Sequence, residues 1–180
     1  MQAPYQLVSR SMSISIRRSH RLIDASRAWP LLDSLSGLYP DLADWYWNKA
    51  VPGIVTGHGA LIVAETDEDP GNPVIGLALG RKPTDGDGET KLQCVRVAPG
   101  HQRRGIGARL LERAFAELGS DQPFCSVSEE MLHLVAPLFI NRFGFTLTRV
   151  GQGIYRPDKL EYQFNGDHDL RRKTPYGAAA

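Results

Sequence analysis

Residues 102–108 read Gln-Arg-Arg-Gly-Ile-Gly-Ala, between a strand-like run, Lys91-Leu92-Gln93-Cys94-Val95-Arg96-Val97, and a helical run with the apolar stripe Leu110, Leu111, Ala114, Phe115 and Leu118. A glycine-rich turn from strand to helix leaves the first N–H groups of the helix without intrahelical partners, at the positive end of its dipole. Together these make an anion site, and a pyrophosphate fits it. Gly105 and Gly107 let the backbone approach a ligand where a Cβ would intrude. Arg103-Arg104, with Arg109 beyond, is the basic cluster of the interior and lies on this loop. A plain turn with a solvated helix start is the alternative reading. The loop is neither well-known phosphate loop. It has no Gly-Lys-Ser/Thr ending, and Gly-x-Gly-x-x-Gly is not met because position 110 is Leu.

The surrounding order of elements gives the loop its context. Ser13-Ile14-Ser15-Ile16-Arg17 alternates as a half-buried strand does. Apolar positions from Leu22 to Leu38 suit helical runs broken near Pro30, and a second helix starts at Pro40–Asp44 and is interrupted by Pro52-Gly53. Ala60–Glu65, Val74–Arg81 and the strand entering the loop form a meander. Phe124–Ser128 is a further strand. Glu129-Glu130 then opens a helix to about Phe143, with Ser128 as its N-cap. Phe145–Val150 and Ile154–Phe164 read as two final strands joined by Gly151-Gln152-Gly153. The order predicts an α/β (α+β) fold, a mixed sheet of about six or seven strands flanked by about four helices, antiparallel before the loop and parallel across it. The domain is expected over residues 13–164, with an N-terminal extension at 1–12 and a polar tail at 165–180.

At 180 residues the chain suits one domain with a sizeable core. A net charge of +1 gives no basis for general nucleic-acid or membrane binding. Cys94 and Cys125 read as small buried hydrophobes, and no metal-ligand spacing exists among them and the five histidines. No run of about 18 apolar residues predicts a membrane span. The N-terminus lacks the apolar segment of a signal peptide, so a cytoplasmic location is the expectation.

The chain resembles the GNAT superfamily of acetyl-CoA-dependent N-acetyltransferases. Three features carry the resemblance: Gln102–Ala108, matching Gln/Arg-x-x-Gly-x-Gly/Ala; Val95-Arg96-Val97-Ala98-Pro99 before it; and Phe139–Phe145, Phe-Ile-Asn-Arg-Phe-Gly-Phe, resembling a late helix that ends in Gly-Phe. The resemblance implies acetyl-CoA as cosubstrate and no metal. It implies that backbone groups of the Val95-Arg96-Val97 strand pair with the pantetheine arm beside a splayed sheet edge. Gln102 opens the matching motif, and Arg103, Arg104, Gly105, Ile106, Gly107 and Ala108 would offer N–H groups to the pyrophosphate. Transfer to a primary amine would be direct, with the oxyanion met by an N–H of the Cys94–Val97 strand. The acceptor is a small-molecule or peptide amine. An aminoacyl-tRNA is the one nucleic-acid partner left open, with Arg171-Arg172-Lys173 as part of a basic face. A homodimer through the final strands also stays open.

Two positions depart from the family pattern. The tyrosine often found four residues before the late glycine is replaced by Ile140, and the glutamate sometimes found before the loop by Lys91. Acyl transfer still needs the attacking nitrogen to lose a proton. Glu129 is the expected base, with Ser128 as polar orienter, although both also suit ordinary helix-start chemistry. Tyr155 is another possible acid. Tyr39, Trp45, Tyr46 and Trp47 with Asp41 and Asp44 make either an aromatic-acidic pocket for a cationic amine or simply core. The departures leave two alternatives open: an acyl-CoA-binding sensor without turnover, and a toxin that acetylates charged tRNA.

Overall fold

A computed structural model of the chain describes residues 13–68, 71, 73–83 and 89–166. The segments 1–12 and 167–180, including Arg171-Arg172-Lys173, lie outside the described residues. Strands β1 (Ile14–Ser19), β2 (Gly59–Thr66), β3 (Val74–Arg81) and β4 (Lys91–Val97) form one antiparallel sheet in that order. Strands β5 (Cys125–Ser128), β6 (Leu147–Gln152) and β7 (Leu160–Phe164) form a second antiparallel sheet in the order β5-β7-β6. The expected mixed α/β architecture holds, with its seven strands divided between two sheets.

Helices cover both faces of the first sheet. That explains the unbroken apolar run of β2, which would alternate if one face met water. Leu61 and Val63 of β2, with Leu77 and Leu79 of β3, pack on α1 (Leu22–Asp33) and on Tyr46, Val51 and Ile54. Ile62 and Ala64, one residue out of phase, pack with Ile106, Leu110 and Ala114 of α4 (Ile106–Leu118). The whole expected stripe of α4 is buried, and Gly119 ends the helix in the left-handed conformation at φ 69°. The second sheet closes a third cluster in which Cys125, Val127, Phe139, Phe145 and Phe164 meet Leu111 and Phe115 of α4.

The prolines break less than the sequence suggests. Pro30 sits inside α1, which runs on to Asp33. Pro52 and Gly53 lie within a continuous helical stretch, α2 (Leu42–Trp45), a π turn (Tyr46–Ala50) and α3 (Val51–Thr56). A wider π turn beside the proline accommodates the N–H that its ring lacks, so the helix bends rather than stops. Pro137 likewise opens a π turn (Pro137–Arg142) that prolongs α5 (Glu129–Ala136) to the expected end near Phe143. Counted as continuous stretches and together with α4, these make four helices among the described residues.

The final strands are corrected in one respect. Ile154–Lys159 leaves the sheet as a turn, and β7 begins only at Leu160. Gly153 at φ 73° starts the turn, and its N–H donates to the Lys159 carbonyl at 3.0 Å. Arg156 pairs with Glu130 at 2.7 Å and Lys159 with Glu129 at 2.7 Å, pulling the turn onto the start of α5. At the other side, Arg17 of β1 bridges Asp24 of α1 at 2.9 Å and Glu65 of β2 at 2.8 Å. Asp24 is fully buried. Burial alone would raise its carboxyl, but hydrogen bonds from Arg17 and Ser19 outweigh that and hold it below the ordinary value.

Arg17→Met therefore strands a buried carboxylate and should cost roughly 1–3 kcal/mol at neutral pH in urea unfolding. Because the folded-state pKa of Asp24 is depressed, its contribution is present above the unfolded pKa and is lost as pH falls through the folded one. The gap between wild type and variant should close in acid, and a gap that stays constant would place the stabilisation elsewhere.

Candidate functional site

The two sheets meet at their narrow end. Lys91 and Phe124 form a parallel bridge, Leu92 N–H donates to Phe124 O at 2.9 Å, and Phe124 N–H donates to Thr90 O at 3.0 Å. The register against β3 then slips between Leu79 and Gly80, leaving Gln93 as an extra residue in β4. Such a bulge bends and twists a strand. Beyond it, among the described residues, no strand pairs with the open edge of β4. The parallel pairing expected across the loop is thus one bridge, after which the strands part.

The glycine loop closes the wide end. Arg103 takes φ 60°, Gly105 φ 75°, and Gly105 occupies the N-cap position of α4 without a side-chain cap. The N–H groups of the first turn keep their orphan character. A cavity of about 310 Å³ lies there, lined by Val97, Gln102, Arg103, Gly105, Ile106, Gly107 and Ala108, and by His101, Leu138 and Arg142. A Cβ on Gly107 would meet nothing closer than 3.9 Å, from Val97 and Leu138 on the two walls, so the glycine leaves cavity space. The Gln102 side chain donates to the Val97 carbonyl at 3.0 Å.

Other predicted residues sit around this cavity rather than in it. Val95 is half-buried between two core clusters, and Arg96 turns away to donate to Ser34 Oγ at 3.1 Å. Arg104 is exposed on the loop and does not line the cavity. The sequence reading assigned no role to His101, Leu138 or Arg142. The last two enter through the π turn after α5, a change of helical phase that no periodicity announces.

A second group of side chains lies on the face of β5 and β7 away from the α4 core. Ser126 opposes Gln163, and Ser128 opposes Glu161, alternating with core-facing Cys125, Val127 and Phe164. Ser128 holds the N-cap position of α5, but its hydroxyl makes no capping bond. It is buried with no standard hydrogen-bond partner among the described residues, though close enough to the Tyr39 hydroxyl to favour its ionised form. Glu161 is 1% exposed, and neither of its oxygens has a hydrogen-bond partner among the described residues. Tyr39 and Tyr155 meet edge-to-face at 5.8 Å, and the Tyr155 hydroxyl reaches Ser126 Oγ at 3.4 Å. Tyr155 therefore belongs to a turn at the mouth and not to a strand. Of the proposed aromatic pocket, Tyr39 alone faces this cluster. Tyr46 is fully buried and donates to Ala25 O at 2.9 Å, while Trp45 and Trp47 pack against the α1 core.

Three acids beside this cluster have opposite environments. Glu129 is half-buried, held by Lys159 and by the Leu160 N–H at 3.1 Å, and its carboxyl lies below the ordinary value through the Lys159 bond first. Glu130 is lowered to about 2, chiefly by its hydrogen bond with Arg156. Burial pushes Glu161 up to about 7, against the pull of Arg156. Burial likewise pushes Tyr39 and Cys94 up to about 12. At the two departing positions, Ile140 is 46% exposed, and Lys91 lies over the Phe124 ring at 5.2 Å. No group of three or more His, Cys, Asp or Glu among the described residues could hold a metal ion, and no helix there is long and apolar enough to cross a membrane.

The family model described as Acetyltransferase (GNAT) family matches residues 23–144, and the chain belongs to that family. Among solved structures, a GNAT-family protein from Desulfovibrio desulfuricans aligns with a TM-score of 0.64 at 23% identity, over 84% of this chain and 97% of its own. The ribosomal-protein-S18-alanine N-acetyltransferase of Escherichia coli aligns with a TM-score of 0.62 at 16% identity, over 84% and 92%. The PaiA N-acetyltransferase of Thermoplasma acidophilum, in complex with coenzyme A, aligns with a TM-score of 0.58 at 16% identity, over 84% and 98%. A search of curated proteins finds no match.

The two loop glycines should separate fold from ligand. Gly105→Ala should cost about 1–2 kcal/mol, because a Cβ is strained at its positive φ. Gly107→Ala should leave stability unchanged or raise it by up to about 1 kcal/mol through helix propensity. Thermal unfolding of both variants checks the contrast.

Proposed function

We propose that the protein is an N-acetyltransferase that moves an acetyl group from acetyl-CoA to a primary amine, and that residues 13–164 form its catalytic domain. The observation that supports this best is the cavity between the end of β4, the first turn of α4 and the π turn after α5. Its donors suit a pyrophosphate, and Val97 and Leu138 suit an apolar arm. Coenzyme A, bound by the structural neighbour PaiA, has both parts.

In this reading Arg103, Arg104, Gly105, Ile106, Gly107 and Ala108 hold the phosphates through backbone N–H groups, with Gln102 fixing the strand end. The open edge of Cys94–Val97 takes the arm and offers an N–H to the carbonyl oxygen. The Val97 carbonyl, which accepts from Gln102, keeps a second lone pair for the arm. The amine arrives from the Tyr39–Tyr155 side, where Ser128 orients it. Glu129 serves the same wall, because its bonds to Lys159 and Leu160 hold the turn that carries Tyr155. A cytoplasmic setting, where acetyl-CoA is at hand, fits this reaction.

Calorimetric titration with acetyl-CoA should give micromolar binding, with ATP giving none. Gly107→Asp should abolish it by placing a side chain and a negative charge in the cavity. Equal affinity in that variant would remove the loop from the cofactor site. Binding without turnover of any amine would turn the reading into an acyl-CoA sensor.

A further inference from the structure

We propose that Glu161, with Ser128 opposite it, receives the ammonium group of the acceptor and takes its proton, so that the acceptor binds as a cation. The inference rests on the acetyltransferase reading and deepens it. Both carboxyl oxygens of Glu161 are buried with no hydrogen-bond partner among the described residues, and Ser128 Oγ, within reach of the Tyr39 hydroxyl, lies at the directly opposed position of β5. Buried polar atoms in folded proteins are almost always satisfied, so such a cluster calls for a missing group. Oxygens that can accept call for donors, and a primary ammonium brings three. Tyr39 and Tyr155 stand beside this cluster, and aromatic rings suit a cation. β5 lies beside β4 across the Lys91–Phe124 bridge, which sets the cluster near the strand edge where the acyl group would lie.

The environment suits proton transfer. Glu161 is surrounded by Arg156 from the turn, Glu129 and Glu130 from α5, Lys91 from β4 and Tyr39 from the α1–α2 connection. Arg156, Glu129 and Glu130 are already engaged with one another and with Lys159, and Lys91 lies over Phe124. None of these cations forms an ion pair with Glu161, and burial is the larger influence on it. A carboxyl held near neutrality ionises readily enough to accept a proton and is basic enough to keep it. Glu129 and Glu130 are each paired with a cation, Lys159 and Arg156, which holds their carboxyls below the ordinary value.

The step balances as follows. The ammonium gives one proton to the Glu161 carboxylate, and the freed nitrogen attacks the thioester carbonyl. The C–N bond forms, and the C–S bond breaks with its electron pair going to sulfur. The nitrogen's second proton ends on the departing thiolate, and Glu161 releases its own to solvent after the products leave.

The test compares wild type with Glu161→Gln and Glu161→Asp, following CoA release from acetyl-CoA with three amines: a peptide with a free N-terminus, spermidine and phenethylamine. Wild-type kcat/KM should rise with pH through about 7, since Glu161 must be ionised to accept the proton. Glu161→Gln should lose about 100-fold or more in kcat and lose that limb of the profile, with acetyl-CoA affinity unchanged. Glu161→Asp should restore part of both. An unchanged rate and profile in Glu161→Gln would overturn the proposal while leaving the acetyltransferase reading intact. If wild type turns over none of the amines, carboxyl NMR decides. A resonance titrating near 7, absent from Glu161→Gln and shifted by phenethylammonium, supports the site. A Glu161 resonance that titrates at the ordinary value, or ignores the amine, overturns it.

Discussion

The parting of β4 from β5 after one bridge is the constraint on which the rest of this structure depends. Lys91 and Phe124 hold the two sheets together at one end, and the extra residue Gln93 turns β4 away immediately afterwards. Both sheets pack on α4, and each is covered by further helices of its own. The first is clamped between α1 and α4, and the second packs Cys125, Val127 and Phe164 against α4 and the aromatic residues that follow α5. An open strand edge is usually a liability that proteins cover or charge. Here the edge runs into a cavity capped by a helix N-terminus, and no strand among the described residues covers it.

The π turns serve the same end. A π turn shifts the phase of the residues after it. After α5 that shift brings Leu138 and Arg142 to the cavity while keeping Phe139 in the core. After α2 it seats Tyr46 under α1, where its hydroxyl can reach a backbone carbonyl. Pro52, which reads in the sequence as an interruption, and Pro137, which reads as helix interior, both sit at points of re-aiming.

On the opposite side of the gap, environment rather than residue type separates three glutamates. Glu129 and Glu130 meet Lys159 and Arg156 in partial solvent, and pairing fixes them as carboxylates. Glu161 is enclosed with unpaired oxygens, and desolvation dominates. The ion pairs have a mechanical role, since they hold the 153–159 turn against α5 and so keep Tyr155 beside Tyr39.

The sequence alone determined the glycine loop, the α4 stripe, the meander of β2, β3 and β4, and the family, because each rests on local spacing: a turn that needs glycine, a 3.6-residue period, apolar runs bounded by turns. It also singled out residues 102–108, which are contiguous and of which all but Arg104 line the cavity. Across the gap, Tyr39, Ser128 and Tyr155 stand out singly in the sequence, but their assembly around Glu161 was not legible. Tyr39, Ser128, Tyr155 and Glu161 are separated by up to 122 residues, and only strand register and the fold of a turn bring them together. Glu161 reads in sequence as one polar position within Leu160–Phe164, with nothing to set it apart from an exposed acid. The tertiary structure decided its character, because the loss of solvent around a carboxylate is a property of everything packed on it. The same holds for Glu129, whose helix-start position is local but whose partner Lys159 is thirty residues away.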